Sequence, residues 1–244
     1  MRSLRTAFGL LTTLPIRLPG NWQPGDSGRA AVWYPLVGLV IGALSWLTWR
    51  GFTLVLPPFV AAVLTLIVWV ALTGGLHLDG LADCCDGLFA SVASASRERR
   101  LEIMQDPHVG AFGAIGLILI LLLKAAALAT LTPAASLGIV LAASLSRWCI
   151  LPAALLPAAR PGGLGADFAS GLRRSSIIVS ALLPFGLAAA LGLRGLFAAL
   201  TGLAVAASVS LFARARIGGV TGDVFGMLVE MVEAAVLLIF VSAI

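Results

Sequence analysis

The sequence predicts an all-α fold: a polytopic membrane bundle of about seven spanning helices with an N-terminal interfacial helix. Three observations carry that expectation. The chain is 60% hydrophobic and only 11% charged, outside the range of soluble domains. Several apolar runs approach the roughly 20 residues that cross a hydrocarbon core, where the backbone must satisfy its own polar groups as helix. The basic residues gather in alternate loops, as membrane topology requires. With 244 residues so used, there is no room for a separate soluble module, and 1–244 is expected to be one membrane-embedded domain.

Taken in order, Arg2 and Arg5 precede an apolar stretch from Ala7 to Ile16. A signal peptide would run on into a small-residue cleavage site. Arg17-Leu18-Pro19 follows instead, which favours an interfacial helix. Gly20 to Gly28 reads as loop. The first span is expected over about Ala31–Trp49, with Trp33 and Tyr34 at one interface and Trp46 and Trp49 toward the other. The second covers about Leu54–Thr73. An acidic stretch and the polar Arg97-Glu98-Arg99-Arg100 turn come next. The third span covers about Ala111–Leu131 and the fourth about Ala135–Leu156, separated by Thr132-Pro133. A polar loop, 157–175, leads to the fifth at about Ser176–Leu191 and the sixth at about Leu196–Ala213. A Gly-rich loop, 218–223, opens the seventh, from about Val224 to the C-terminus.

Charge placement orients this map. With the N-terminus inside, Arg2, Arg5, Arg17, Arg29, Arg97, Arg99, Arg100, Arg160, Arg173, Arg174, Arg214 and Arg216 all lie on inner segments. Only Arg50 and Arg194 fall in outer loops. The acids also avoid the outer side, and Glu230 and Glu233 are read as lying in the first turns of the last span. Chemistry is therefore expected at the cytoplasmic face of a cell inner membrane. The formal charge of +5 does not point to nucleic acid, because no basic patch is interleaved with aromatics. Cys84 and Cys85 are adjacent and Cys149 sits in an apolar run, so no disulfide framework is expected.

The chemistry-bearing stretch is Gly74 to Leu88. Asp79, Asp83 and Asp86 stand at i, i+4 and i+7. At about 100° per residue, a helix holds them within an arc of roughly 60°. Three like charges on one stripe repel and are costly near lipid. A divalent cation is the simplest counterweight. Mg²⁺ prefers hard oxygen ligands and bridges carboxylates to substrate phosphates. The plainer alternative is a helix facing water at a membrane edge.

A second acidic element follows Gly222. Asp223 and Glu230 share a helix face, about 10 Å apart along the axis. Glu230 is either a metal ligand or half of an interhelical salt bridge to Arg147 or a loop arginine. Glu233, off that line, is rather a salt-bridge residue. Lys124, toward the outer end of its span, is expected to snorkel. Arg147, near mid-span, calls for a buried acid or a substrate phosphate. Arg160 beside glycines suits bidentate phosphate capture, or is an ordinary positive-inside residue. The Gly-rich loops 162–165 and 218–222 can present backbone N–H groups to phosphate. His77 is either a general base or a structural histidine at a helix start. His108, next to the Asp106 segment, is read as a cap for the third span.

These residues resemble a known family. Gly74–Leu88, Met104-Gln105-Asp106 with Val109-Gly110-Ala111-Phe112-Gly113, and Gly219 through Gly226 are similar to adenosylcobinamide-GDP ribazoletransferase, the cobalamin (5′-phosphate) synthase of cobamide assembly. Leu14-Pro15, Trp33-Tyr34-Pro35-Leu36-Val37-Gly38 and Ser146-Arg147-Trp148 extend the resemblance over the whole chain. It departs at Cys84-Cys85, where small or hydroxyl residues are expected, and at Pro107-His108, where a polar or basic pair is. Neither removes a carboxylate, although the second undercuts any functional role for His108.

The resemblance implies a reaction like that of CDP-alcohol phosphotransferases. α-Ribazole or its 5′-phosphate attacks the phosphate joined to adenosylcobinamide, and GMP leaves. It implies Mg²⁺ held by Asp79, Asp83 and Asp86, joined by Asp223 and Glu230. Asp83, Asp86 and Asp106 would be the catalytic carboxylates, and Arg147, Arg160 and Gly222 would bind substrate. The implied partners are adenosylcobinamide-GDP, α-ribazole or its phosphate, and the lipid bilayer, with room for a homo-oligomer. Two rival readings are another Mg-dependent intramembrane phosphotransferase or prenyltransferase, and a proton-coupled transporter. The transporter would place acids at the bilayer midplane in broken helices, whereas here they crowd one edge.

Overall fold

The computed structural model describes residues 1–16, 20–89 and 96–242. Arg17 of the basic N-terminal segment and the last two residues of the seventh span lie outside them. Regular structure among the described residues is helical, apart from one isolated backbone bridge between Ala158 and Val220. The helices are α1 (Arg2–Leu11), α2 (Asp26–Ala30), α3 (Tyr34–Thr53), α4 (Pro58–Thr73), α5 (Leu76–Cys84) and α6 (Arg97–Ile103). They continue with α7 (Ala111–Thr130), α8 (Gly138–Ala153), α9 (Leu164–Gly171), α10 (Arg174–Ala190), α11 (Gly192–Ile217) and α12 (Gly222–Val241). A 3₁₀ turn, Ala31–Trp33, leads into α3, and a π-helical turn, Cys85–Phe89, ends α5.

Each expected span finds a helix, yet the count of seven crossings is not reproduced. Among the described residues, 4 helices are long and apolar enough to cross a membrane, or up to 6 if each bent pair forms one span. The pairs are Pro58–Thr73 with Leu76–Phe89, bent by 92°, and Gly165–Gly171 with Arg174–Ala190, bent by 96°. The remaining expected crossing, the fourth, rests on α8, whose 16 residues are short for a bilayer core. The outward residues of the long helices are apolar: Ile115, Ile118, Leu119 and Leu122 on α7, Ile178 and Leu182 on α10, Leu193 and Leu200 on α11. Such a surface suits lipid and marks a multi-pass membrane protein.

α8 is the buried centre, with every residue from Gly138 to Leu151 enclosed. α3 reaches it through Gly38 and Gly42, four residues apart on one face. A Cβ on Gly42 would stand 2.7 Å from Val140 Cα, so only glycine permits that approach.

Two glycines turn the acidic helix across the bundle. Gly74 and Gly75 take φ of +63° and +71°, left-handed values that favour glycine. Thr13 braces the corner by donating its Oγ1 to Ala71 O at 2.8 Å and its N–H to Leu72 O at 2.9 Å. α5 then lies directly on α12. A Cβ on Gly80 would stand 2.8 Å from Asp223 O, and one on Gly226 would stand 2.9 Å from His77 O. Close backbone contact thus brings the two acidic segments together.

Candidate active site

Asp79 and Asp83 project from α5, and Asp223 from the first turn of α12. Asp83 lies within electrostatic range of Asp223, Asp79 and Asp86, with Arg160 the nearby counter-charge. Asp79 and Asp223 line the same cavity of about 320 Å³. The two acidic elements singled out from the sequence therefore converge.

Arg160 arrives from the opposite loop. Ala159 N–H donates to Val220 O and Val220 N–H to Pro157 O, both at 2.9 Å, so the two Gly-rich loops are stitched together. Gly219 has no room for a side chain against the Pro157 carbonyl. Arg160 Nη1 then stands 3.5 Å from Asp223, and its Nη2 donates to Leu101 O at 2.9 Å. A cavity of about 160 Å³ opens here, lined by Arg160, Gly163, Gly165, Thr221, Gly222 and Asp223. Thr221 caps α12 by accepting from Val224 N–H at 3.3 Å. A helix N-terminus beside a guanidinium suits a phosphate. Arg160, Gly222 and Asp223 are thus brought together.

Asp86 is not. It sits in the π-helical turn that ends α5, and its carboxylate is taken up by the start of α7. It accepts from Gly110 N–H at 2.8 Å and Gly113 N–H at 2.9 Å. It therefore caps the N-terminus of α7, where a carboxylate also meets the favourable end of the helix dipole. A Cβ on Gly110 would stand 2.9 Å from Asp86 Cγ, which explains the glycine.

Glu230, expected as a metal ligand, is buried mid-helix rather than in the first turns of α12. It accepts from Lys124 Nζ. Glu233 is also buried and accepts from both Lys124 and Arg147. Lys124 does not snorkel: it is 2% exposed, because two carboxylates face it across the helix interface. Arg147 is fully buried and held by Glu233, so this acid, not a substrate phosphate, is its partner. Four charges balance one another inside the bundle, away from the rim.

Asp106 faces water in the loop before α7. It accepts from His108 N–H at 3.0 Å and pairs with the His108 ring at 2.7 Å. These bonds, the backbone one foremost, hold its carboxyl below the usual carboxylate range. That makes it a poorer base than expected.

Among the described residues, no three His, Cys, Asp or Glu side chains gather closely enough to hold an ion alone. Mg²⁺ does not require such a cage. It keeps waters and is usually held by one or two carboxylates with substrate phosphates completing the shell. Asp79 and Asp223, on one cavity and beside a phosphate-sized recess, fit that pattern.

Sequence reasoning missed the aromatic wall of the larger cavity: Tyr34, Phe168 and Phe225. Tyr34 and Phe225 lay inside quoted motifs, but Phe168 carried no signal. It also missed Asp167, which accepts from Gly25 N–H and Ser27 Oγ, each at 2.6 Å, and so pins α9 to α2.

With this geometry in hand, the family model for cobalamin-5-phosphate synthase matches residues 3–241. A Pseudomonas paraeruginosa protein named adenosylcobinamide-GDP ribazoletransferase is 44% identical over 239 residues, 97% of this chain and 96% of that protein. A protein of the same name from Stutzerimonas stutzeri is 43% identical over 246 residues, with 97% and 96% covered. No solved structure matches. This chain belongs to the cobalamin-5-phosphate synthase family.

Proposed function

We propose that this chain is an adenosylcobinamide-GDP ribazoletransferase acting at the cytoplasmic face of the cell inner membrane, with Mg²⁺ as cofactor. A ribose hydroxyl oxygen of α-ribazole, or of its 5′-phosphate, attacks the phosphorus joined to adenosylcobinamide. A new P–O bond forms, the pyrophosphate P–O bond breaks, and GMP leaves with the electron pair. Asp83, half-buried among the other carboxylates, takes the hydroxyl proton. Arg160 and the Gly222 end of α12 hold the diphosphate, and the lipid-facing helices keep the reacting edge at a fixed depth. Asp79 and Asp223 are the carboxylates that would hold Mg²⁺. When bound, the ion supplies charge neutralisation between two anionic partners.

One observation carries this reading. Asp79, Asp83 and Asp223 converge opposite Arg160, apart from the self-balanced charge quartet inside the bundle. Family membership supports the same chemistry. The test is turnover by the purified chain in liposomes given adenosylcobinamide-GDP, α-ribazole and Mg²⁺. GMP release with matching adenosylcobalamin formation is expected. Release of pyrophosphate or CMP from other substrates, or solute uptake without chemistry, would assign another activity.

A further inference from the structure

Resting on that reading, we infer that the 320 Å³ cavity seats the aromatic base of the ribazole acceptor, with His77 donating a hydrogen bond to it. The cavity has the composition of a nucleoside site. Phe168 forms the middle of its aromatic wall, with Tyr34 at 5.5 Å and Phe225 at 5.7 Å between ring centroids. Rings so tilted offer faces and edges to a flat heterocycle. Its size falls at the lower end for small-molecule pockets, which suits a nucleoside and not a corrinoid.

His77 supplies the polar anchor. It lines this cavity and is 3% exposed. Its Nδ1 faces the Arg147 guanidinium at 3.5 Å, which makes Nδ1 the acceptor and leaves the N–H on Nε2. Nε2 has no partner among the described residues. Nε2 is itself buried, so a small turn of the ring toward the cavity would let a ligand acceptor such as a ring nitrogen or a ribose hydroxyl remove the cost of this unmatched donor. A lipid tail would leave it unmatched. The buried charge cluster thus has a second consequence: Glu233 fixes Arg147, and Arg147 faces His77.

The placement also separates donor from acceptor. Gly222 and Asp223 line both the aromatic cavity and the smaller recess beside Arg160. The guanidinium side suits the diphosphate of the donor, GMP included. The aromatic side is left for the attacking nucleoside. Asp223 stands between them, at the place where a displacement with opposed entering and leaving oxygens needs its charge offset. The wall is held firmly, because α9, which carries Phe168, is clamped to α2 through Asp167.

The test measures equilibrium binding of α-ribazole by the purified full chain in nanodiscs, beside steady-state GMP release. His77→Leu and Phe168→Leu are expected to weaken α-ribazole binding and raise its KM by about tenfold or more. KM for adenosylcobinamide-GDP should stay within about twofold, and turnover should return at saturating α-ribazole. His77→Gln, whose amide N–H stands near the Nε2 position, should recover part of the binding. Phe225→Leu, on another helix, repeats the test should a first variant fail to fold. Unchanged α-ribazole affinity in the folded variants would overturn the inference. So would a rise confined to the KM for adenosylcobinamide-GDP, which would give the cavity to guanine. Binding of α-ribazole by a parent chain that releases no GMP would uphold the cavity and sink the proposed reaction. A parent chain that does not bind α-ribazole would sink the cavity.

Discussion

Arg160 places Nη1 3.5 Å from the Asp223 carboxylate while the Leu101 carbonyl holds its Nη2 at 2.9 Å. The residues are 63 positions apart, and the backbone bridge between the two Gly-rich loops makes them neighbours. The guanidinium is half-buried and already oriented, so a phosphate meets a preorganised donor. Arg160→Ala should raise KM for adenosylcobinamide-GDP by roughly 10–100-fold, read from GMP release. Arg160→Lys should restore only part, because an ammonium does not offer two parallel N–H bonds. An unchanged KM in Arg160→Ala would remove this residue from the donor site.

The quartet of Lys124, Arg147, Glu230 and Glu233 is a stability device in this account, not a metal site. Its charges cancel and its members are buried. Glu233→Gln leaves two cations sharing one carboxylate and should cost about 3–5 kcal/mol of unfolding free energy. Replacing Lys124 and Glu230 together by methionine should cost less than either single change. Reversible unfolding in mixed micelles measures both. A double cost equal to the sum of the two single costs would mean the pair is not coupled.

Asp86 should behave as a helix cap. Asp86→Ala should cost about 0.5–2 kcal/mol of stability, with activity falling mainly through loss of folded protein. Asp86→Asn, which keeps one of the two acceptor oxygens, should be milder. Turnover per folded molecule separates this from a catalytic role: a collapse of that quantity in Asp86→Asn would restore Asp86 to the reaction.

Asp106 should be nearly dispensable. Its low proton affinity arises from the His108 bonds and its position is solvent-exposed. A carboxyl held below its unfolded value lends what stability it has above that value, and loses it as pH falls through the lowered one. Asp106→Asn should therefore leave turnover at neutral pH within about twofold, while removing a small acid-side loss of loop order. A large fall in kcat would show that the exposed geometry changes on substrate binding.

Much of this architecture was legible because lipid imposes a simple rule: long apolar runs become helices. The seven runs found helices at nearly the expected residues. Crossing number was less legible, because the glycine corner at Gly74–Gly75 sends α5 across the bundle instead of through it. The aspartate stripe held for Asp79 and Asp83, which share α5. It did not extend to Asp86, whose two oxygens accept from Gly110 and Gly113 N–H at a distant helix end, and periodicity carries no trace of that competitor. The buried quartet showed the same limit. Composition exposed four charges in apolar runs, but the choice between metal, phosphate and counter-charge was made by packing α7 and α8 against α12. Phe168 was invisible for a related reason: its role depends on Asp167 fastening a short helix to a loop far away in sequence.

The most direct test of the central claim is GMP release by Asp83→Asn and Asp223→Asn in liposomes, each with and without Mg²⁺. Asparagine keeps the size, removes the charge and replaces one acceptor oxygen by an amide donor. Both variants should insert and bind adenosylcobinamide-GDP, yet lose roughly a thousandfold or more in kcat, with chelation silencing the parent chain to a similar floor. Turnover within about tenfold of the parent in either variant, or full activity of the parent under chelation, would contradict the assignment of Asp83 as the base and of Asp223 as a carboxylate for the metal.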